Sequence, residues 1–194
     1  MTLELRVVHL TPGRAASARV AQQQELLYVA SGRGVLRLGG ETHGLGPDTA
    51  ALLLPEDAFE LEAVEDLTVV SVTAPPAGQS ERDRVTVHLA ECEEYRADEH
   101  RTFRVLFQTN VTQFVGVVQP SRAPDHSHPY DEVGYILDGQ GFAHVGGEST
   151  PIAAGSQFHL RSGEVHCIEN SGPGPMRILG VFHPSGSPAQ RLDS

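Results

Sequence analysis

Four side chains in the second half of the chain have the types and spacing of a metal-binding site. His126 and His128 lie two residues apart, and on an extended segment their imidazoles point to the same side of the backbone. Glu132 follows, and His166 lies in a glycine-containing turn further along. Three neutral imidazoles and one carboxylate suit one divalent transition metal: Fe, Mn, Ni, Cu, Co or Zn. An octahedral ion keeps positions open beyond these four ligands, so the sequence predicts a site of the kind that catalysis requires.

The elements that position these residues belong to an internal repeat. Residues 25–41 align without a gap with residues 132–148, which lie 107 positions later. The residues shared by the two copies are Glu25/Glu132, Tyr28/Tyr135, Gly32/Gly139, Gly34/Gly141, Gly39/Gly146, Gly40/Gly147 and Glu41/Glu148. Each copy reads as short β-strands separated by glycine turns, and residues 50–54 and 67–72 correspond to residues 157–160 and 177–182. This pattern is typical of jelly-roll or barrel folds.

Composition excludes several classes of function. The 194-residue chain carries 14 basic and 25 acidic residues, a net charge of −11, and every basic residue is an arginine. Schiff-base chemistry and a P-loop both need lysine, and a chain without a basic cluster is a poor partner for nucleic acid or an anionic membrane. No apolar run approaches the roughly 20 residues of a membrane span. We expect a cytoplasmic protein with no nucleic-acid or membrane partner, because no secretory signal is visible and two cysteines predict free thiols.

The spacing of these residues resembles the two motifs of the cupin superfamily. His126-x-His128, three residues, Glu132, six residues and Gly139 is similar to the first motif. Gly155, followed by Gly163-x-x-His166-x-x-x-Asn170, is similar to the second, except that Arg161 stands where the family usually has proline. With the repeat, the resemblance implies an all-β chain of two tandem cupin-type jelly-roll β-barrels. It also implies that His126, His128, Glu132 and His166 are the metal ligands.

The predicted domains differ in their fitness to bind a metal. We expect a degenerate N-terminal barrel over residues 1–74, a linker and connecting strand over 75–102, and a metal-binding barrel over 103–194. In the first copy, the offsets that reach the histidine pair arrive at Arg19 and Ala21, and Glu60 stands where the last histidine would be. Residues 186–194 read as a polar tail. The prediction is one metal site, in the C-terminal barrel only, and a structural role for the first barrel.

The metal site predicts an enzyme that acts on a small molecule, slightly favoured as a dioxygenase-type oxidoreductase. One alternative is an isomerase or lyase in which the metal polarises a carbonyl group and a nearby side chain serves as the base. Another is a non-catalytic small-molecule binding protein, and a homodimer is an open alternative to a monomer. The candidate catalytic residues are Glu132, Tyr130 and His159, and the candidates for orienting ligands or substrate are Gln113, His144 and Arg161.

Overall fold

The computed structural model describes residues 2–20, 22–76, 78 and 82–192, which form two compact units, Met1–Cys92 and Glu93–Ser194. Almost all of the regular secondary structure in both units is β-strand. The first contains β1 (Glu4–Leu10), β2 (Ala15–Arg19), β3 (Gln24–Ser31), β4 (Gly34–Leu38), β5 (Glu41–Leu45), β6 (Thr49–Leu53), β7 (Ala58–Ala63), β8 (Leu67–Ala74) and β9 (Thr86–His88). A single 3₁₀ turn at Leu89–Glu91 ends this unit.

The second unit begins with a short strand within the segment predicted as linker and connecting strand. Its strands are β10 (Glu94–Arg96), β11 (Arg101–Gln108), β12 (Thr112–Val118), β13 (Ser121–Arg122), β14 (Asp131–Asp138), β15 (Gln140–Val145), β16 (Glu148–Ala153), β17 (Gln157–Leu160), β18 (His166–Asn170) and β19 (Met176–His183). Residues 77 and 79–81 of the segment predicted as linker and connecting strand lie outside the described residues.

The sequence repeat corresponds to a repeat of topology. The first unit has sheets in the orders β1-β8-β3-β6-β9 and β2-β7-β4-β5, and the second has β10-β11-β12-β19-β14-β17 and β13-β18-β15-β16. Four consecutive strands of each larger sheet, and all four of each smaller sheet, therefore follow one order in both units. Neighbouring strands are antiparallel throughout. The expected all-β fold of two tandem jelly-roll units is confirmed.

Strand alternation places the core between the two sheets of each unit. In β3, Leu27 and Val29 face inward and belong to the core of the first unit. The counterpart of Val29 in β14, Ile136, is fully buried in the core of the second unit. Glu25 and Glu132 share this inward parity, so the same alternation aims one carboxylate into each barrel.

The shared glycines are required by the turns that join β3 to β4 and β14 to β15. Gly139 has a φ of 92°, and a Cβ there would lie 2.8 Å from the Cα of Met176. Gly32 has a φ of 81°, and a Cβ there would collide with the carbonyl oxygen of Asp66. Backbone conformation and close approach both exclude a side chain.

Two further expectations can be compared with the structure. Cys92 and Cys167 are not joined by a disulfide bond, as predicted. Among the described residues, no helix is long and apolar enough to span a membrane.

Candidate metal centre

Three imidazoles converge in the second unit. His126 and His128 lie on the segment between β13 and β14, and His166 is the first residue of β18. Two backbone hydrogen bonds join His126 to His166, at 3.0 and 2.8 Å. Each of the three side chains offers one ring nitrogen, and these three nitrogen atoms all lie within 4.8 Å of one another. This spacing is short enough for all three rings to bind one ion.

The backbone fixes which ring nitrogen each histidine presents. The Nδ1 atoms of His126, His128 and His166 lie 2.9, 2.5 and 2.8 Å from the carbonyl oxygens of Pro124, Gln190 and Glu164. A carbonyl oxygen only accepts, so each Nδ1 carries the proton and donates it. Each neutral ring therefore presents the lone pair of Nε2, which is the arrangement that metal-binding histidines use.

Burial keeps these rings neutral. It lowers the pKa of His126 and His128 to about 4, with the neighbouring imidazoles adding to the effect. Burial also lowers the pKa of His166. At neutral pH the site is therefore a set of three unprotonated nitrogen ligands, and this donor set fits a divalent transition metal.

Glu132 lies beside the three imidazoles. It is the second residue of β14, its side chain lines the same cavity, and only 8% of the residue is exposed. Its carboxylate does not belong to the group of atoms within 4.8 Å of one another. Burial raises the pKa of Glu132 to about 8, so without a metal the group holds a proton at neutral pH. Glu132 can either turn toward an ion as a fourth ligand or carry a proton within the cavity.

The rest of the cavity is apolar apart from one cation. Its volume is about 100 Å³, and four aromatic side chains form much of the wall: Phe103, Phe114, Phe158 and Phe182. Arg101, the first residue of β11, also lines it, and its side chain is only 16% exposed. The guanidinium donates from Nη1 to Asp98 Oδ2 at 2.6 Å. Within the described part of the chain the guanidinium makes no other hydrogen bond, so Nε and Nη2 keep donors for a bound anion.

The chain resembles known proteins along both units. Residues 114–182 match the family described as the cupin domain, and residues 7–83 match the AraC-like ligand binding domain. The chain is a two-domain member of the cupin superfamily. An oxalate-binding protein of Thermotoga maritima is 42% identical over 58 residues, which are 29% of this chain and 48% of that protein. The match therefore spans about half the length of this curated relative.

Solved structures agree with the cupin fold. A cupin 2 conserved barrel domain protein from Leptotrichia buccalis has a TM-score of 0.69 at 16% identity, over 93% of this chain and 83% of that one. Oxalate decarboxylase from Bacillus subtilis has a TM-score of 0.75 at 14% identity, over 95% and 69% of the two chains. At these identities the likeness shows the fold alone.

Several residues suggested by the sequence lie away from this cupin's metal cavity. His159 is exposed on β17, on the face opposite its neighbour Phe158. His144 lies on the outward side of β15, where Nδ1 is 2.7 Å from Ser149 Oγ and Nε2 is 2.8 Å from Glu169 Oε2. Arg161 is exposed in the turn before β18. Gln113 is fully buried, but it lies on the face of β12 opposite the cavity. The ring of Tyr130 stacks on that of His128 and does not line the cavity.

Residues 185–192 support the site, although the composition of residues 186–194 predicted a polar tail. The carbonyl oxygen of Gln190 accepts a hydrogen bond from Nδ1 of His128, and Leu192 N donates one to Ser127 O at 2.9 Å. The hydroxyl of Tyr130 donates to Ser187 O at 2.5 Å, while its ring stacks on that of His128 with centroids 5.0 Å apart. The prediction of a simple tail is therefore wrong for residues 186–192, and residues 193–194 lie outside the described part.

The first barrel carries other side chains at the positions of the three histidines. The strand pairing matches Ala18 with Phe59, as it matches His126 with His166 in the second barrel. Glu60, which the sequence offset placed at the last histidine, faces outward and forms an ion pair with Arg37 at 2.7 Å. The assignment of Glu60 is therefore wrong by one residue. Ala21 lies outside the described residues.

Proposed function

We propose that the second barrel is a metal-dependent enzyme that acts on a small carboxylate-bearing molecule, with an oxygen-dependent, dioxygenase-type reaction favoured. The observation that supports this most directly is that three Nε2 lone pairs and a largely buried guanidinium share one cavity. His126, His128 and His166 would hold the metal, with Glu132 as a candidate fourth ligand. When bound, a redox-active ion such as iron or manganese would supply binding of O₂ and of an oxygen-chelating substrate.

Arg101 gives the cavity its preference for an anion. Its Nε and Nη2 donors can bind a carboxylate in the bidentate geometry that guanidinium favours. Asp98 accepts from Arg101 at 2.6 Å and from Arg191 at 3.2 Å, so two cations share one carboxylate and the local charge is positive. The oxalate-binding relative is consistent with a carboxylate ligand, over the part of that protein that matches.

The aromatic walls make the cavity suitable for a reaction from which water must be excluded. Phe103, Phe114, Phe158 and Phe182 leave few polar groups near the imidazoles, which strengthens the electrostatic contacts made inside. In a dioxygenase-type reaction both atoms of O₂ enter the cleaved substrate, and the substrate itself supplies the electrons. Such a reaction needs no base on the protein beyond the proton site at Glu132.

A lyase is the second candidate function, and the observation that favours it is the protonation of the Glu132 carboxyl group. The other candidate residues do not face the cavity as a base would: His144 and His159 point outward, and the hydroxyl of Tyr130 donates a hydrogen bond to Ser187 O. Glu132 faces the cavity, and its pKa is raised to about 8 by burial. It can therefore give a proton to a carbanion left by decarboxylation or isomerisation.

Oxygen consumption separates these functions. The protein would be loaded with Fe²⁺ or Mn²⁺ and supplied with 2-oxo acids and dicarboxylates, and oxygen uptake would be measured beside anaerobic turnover. Uptake in step with substrate loss supports the dioxygenase, and anaerobic turnover supports the lyase. Binding without turnover in either condition would leave a small-molecule carrier and overturn the enzyme proposal.

Arg101 offers a matched test of the substrate class. R101M should weaken carboxylate binding roughly 10- to 100-fold, because a charge-assisted contact is lost. R161M removes an exposed arginine in the turn before β18, outside the cavity lining, and should leave carboxylate binding unchanged. Equal losses in both variants, or none in R101M, would contradict the role of Arg101.

A further inference from the structure

We propose that the interior of the first barrel is a second, metal-independent binding site, for a small neutral molecule with an apolar body and a hydroxyl group. The site is a cavity of about 210 Å³ within the Met1–Cys92 unit. None of its lining residues belongs to the metal cavity. The inference therefore does not depend on the proposed enzymatic function.

One reason for the cavity is that a small side chain stands at a position where the second barrel has an imidazole. Ala16 and Ala18 of β2 line it, and Ala18 occupies the pairing position that His126 holds in the other unit. A methyl group fills much less space than an imidazole ring. Phe59, at the position of His166, closes the same wall with an apolar face.

One wall of this cavity is polar. The Glu25 side chain is only 8% exposed, and its Oε1 accepts from Arg6 Nη2 at 2.7 Å and from Ser71 Oγ at 2.5 Å. Arg6 also donates from Nε to Ser71 Oγ at 3.3 Å, and its side chain is 56% exposed, so the polar wall reaches solvent. Among the described residues no hydrogen bond is made to Oε2 of Glu25. A carboxylate oxygen that receives no hydrogen bond, on a side chain that is only 8% exposed, is a position that a ligand can satisfy.

The charges and the volume define the ligand. Arg6 already neutralises Glu25, so a charged ligand would bring an unpaired charge into an apolar cavity, whereas a neutral hydroxyl can donate to Oε2 without that penalty. The opposite walls are the side chains of Leu27, Phe59, Leu61 and Val69. An apolar cavity of about 150 Å³ accommodates benzene. A cavity of about 210 Å³ therefore has room for a six-membered ring with a hydroxyl substituent, and phenol is a suitable probe.

Methyl NMR of the full-length protein in excess EDTA tests the site with no metal present. On titration with phenol, we expect saturable shifts in the methyl signals of Leu27, Leu61 and Val69. The methyl signals of Ile168 and Ile178, which line the metal cavity, serve as internal controls and should not move. Shifts confined to those two isoleucines, or no saturable shift in the first barrel, would overturn the proposal.

Variants of the cavity complete the test. A18L fills the cavity and should weaken phenol binding at least about tenfold, and E25Q should weaken it about tenfold through loss of the charged acceptor. H166A, in the other barrel, should bind phenol as the unaltered protein does. Thermal unfolding checks that A18L is folded, and A16L provides the same blockage if it is not. Unchanged affinity in both a folded cavity-filling variant and E25Q would refute the site.

Discussion

Metal binding should release close to one proton at pH 7, and Glu132 should be its source. Burial raises the pKa of Glu132 to about 8, so at pH 7 about 90% of this carboxyl group is protonated in the metal-free protein. The pKa values of His126 and His128 are about 4, so these rings have no proton to lose on binding. If Glu132 becomes the fourth ligand, it must ionise, and about 0.9 proton per metal ion enters the buffer.

Calorimetry measures this number directly. Mn²⁺ would be titrated into the metal-free protein in buffers of different ionisation enthalpy, and the slope of the observed enthalpy against that quantity gives the protons released. Zinc is less suitable because a water molecule bound to it ionises near pH 7. At pH 9 the same carboxyl is mostly ionised before binding, so the slope should fall to about 0.1 proton.

The E132Q variant is the control, because glutamine has the same size but no ionisable proton. Its slope should be near zero at both pH values, and its affinity for Mn²⁺ should be lower. A near-zero slope in the unaltered protein, at full metal occupancy, would show that Glu132 keeps its proton and is not a ligand. A slope that persists in E132Q would mean that the proton comes from another group.

Four further outcomes are expected. H166A should lose roughly 100-fold or more in metal affinity, measured by elemental analysis after dialysis, and stoichiometric metal in this variant would refute the three-histidine site. In the metal-free folded protein, Glu132 keeps its proton up to about pH 8, whereas the unfolded chain releases it near pH 4.5. The contribution of Glu132 to the free energy of unfolding is therefore lost as pH rises across that range. E132Q should therefore gain stability relative to the unaltered protein by up to about 1.4 kcal/mol per pH unit, and parallel denaturation curves would contradict this. Deletion of residues 185–194 should weaken metal binding about 10- to 100-fold, because the carbonyl that orients one imidazole is removed, and retained affinity would exclude this role. G139A should destabilise the protein by about 1 kcal/mol more than G147A, because both glycines have positive φ but only Gly139 is crowded; equal melting temperatures would argue against the crowding.

The sequence predicted those features that recur with a fixed spacing. The ungapped repeat of residues 25–41 in residues 132–148 identified equivalent strands, and the structure places the aligned Glu25 and Glu132 on the inward faces of β3 and β14. Its limit appears beyond the aligned segment. A shift of one residue reverses the face to which a strand side chain points, so the offset selected the outward-facing Glu60 although Phe59 faces the cavity.

Other parts of the site carry no signal in residue type. The groups that orient the three imidazoles are backbone carbonyl oxygens, which every residue has, so nothing in the composition of residues 185–192 indicated their role. Arg101 was missed because it is distant in sequence from the histidine motif, and the pairing of β11 with β12 brings it to the cavity. The outward placement of His144 depends on strand parity, which the residue types alone do not fix.

The support that residues 185–192 give to the histidine segment has a practical consequence for protein production. An affinity tag or fusion partner attached directly after this segment would disturb the hydrogen bonds that position His128 and Tyr130. Trimming by a protease at the same place would have a similar effect. Purified samples could then contain folded protein with too little metal. Intact mass should therefore be determined alongside elemental content in every preparation, and tags are better placed at the opposite end of the chain.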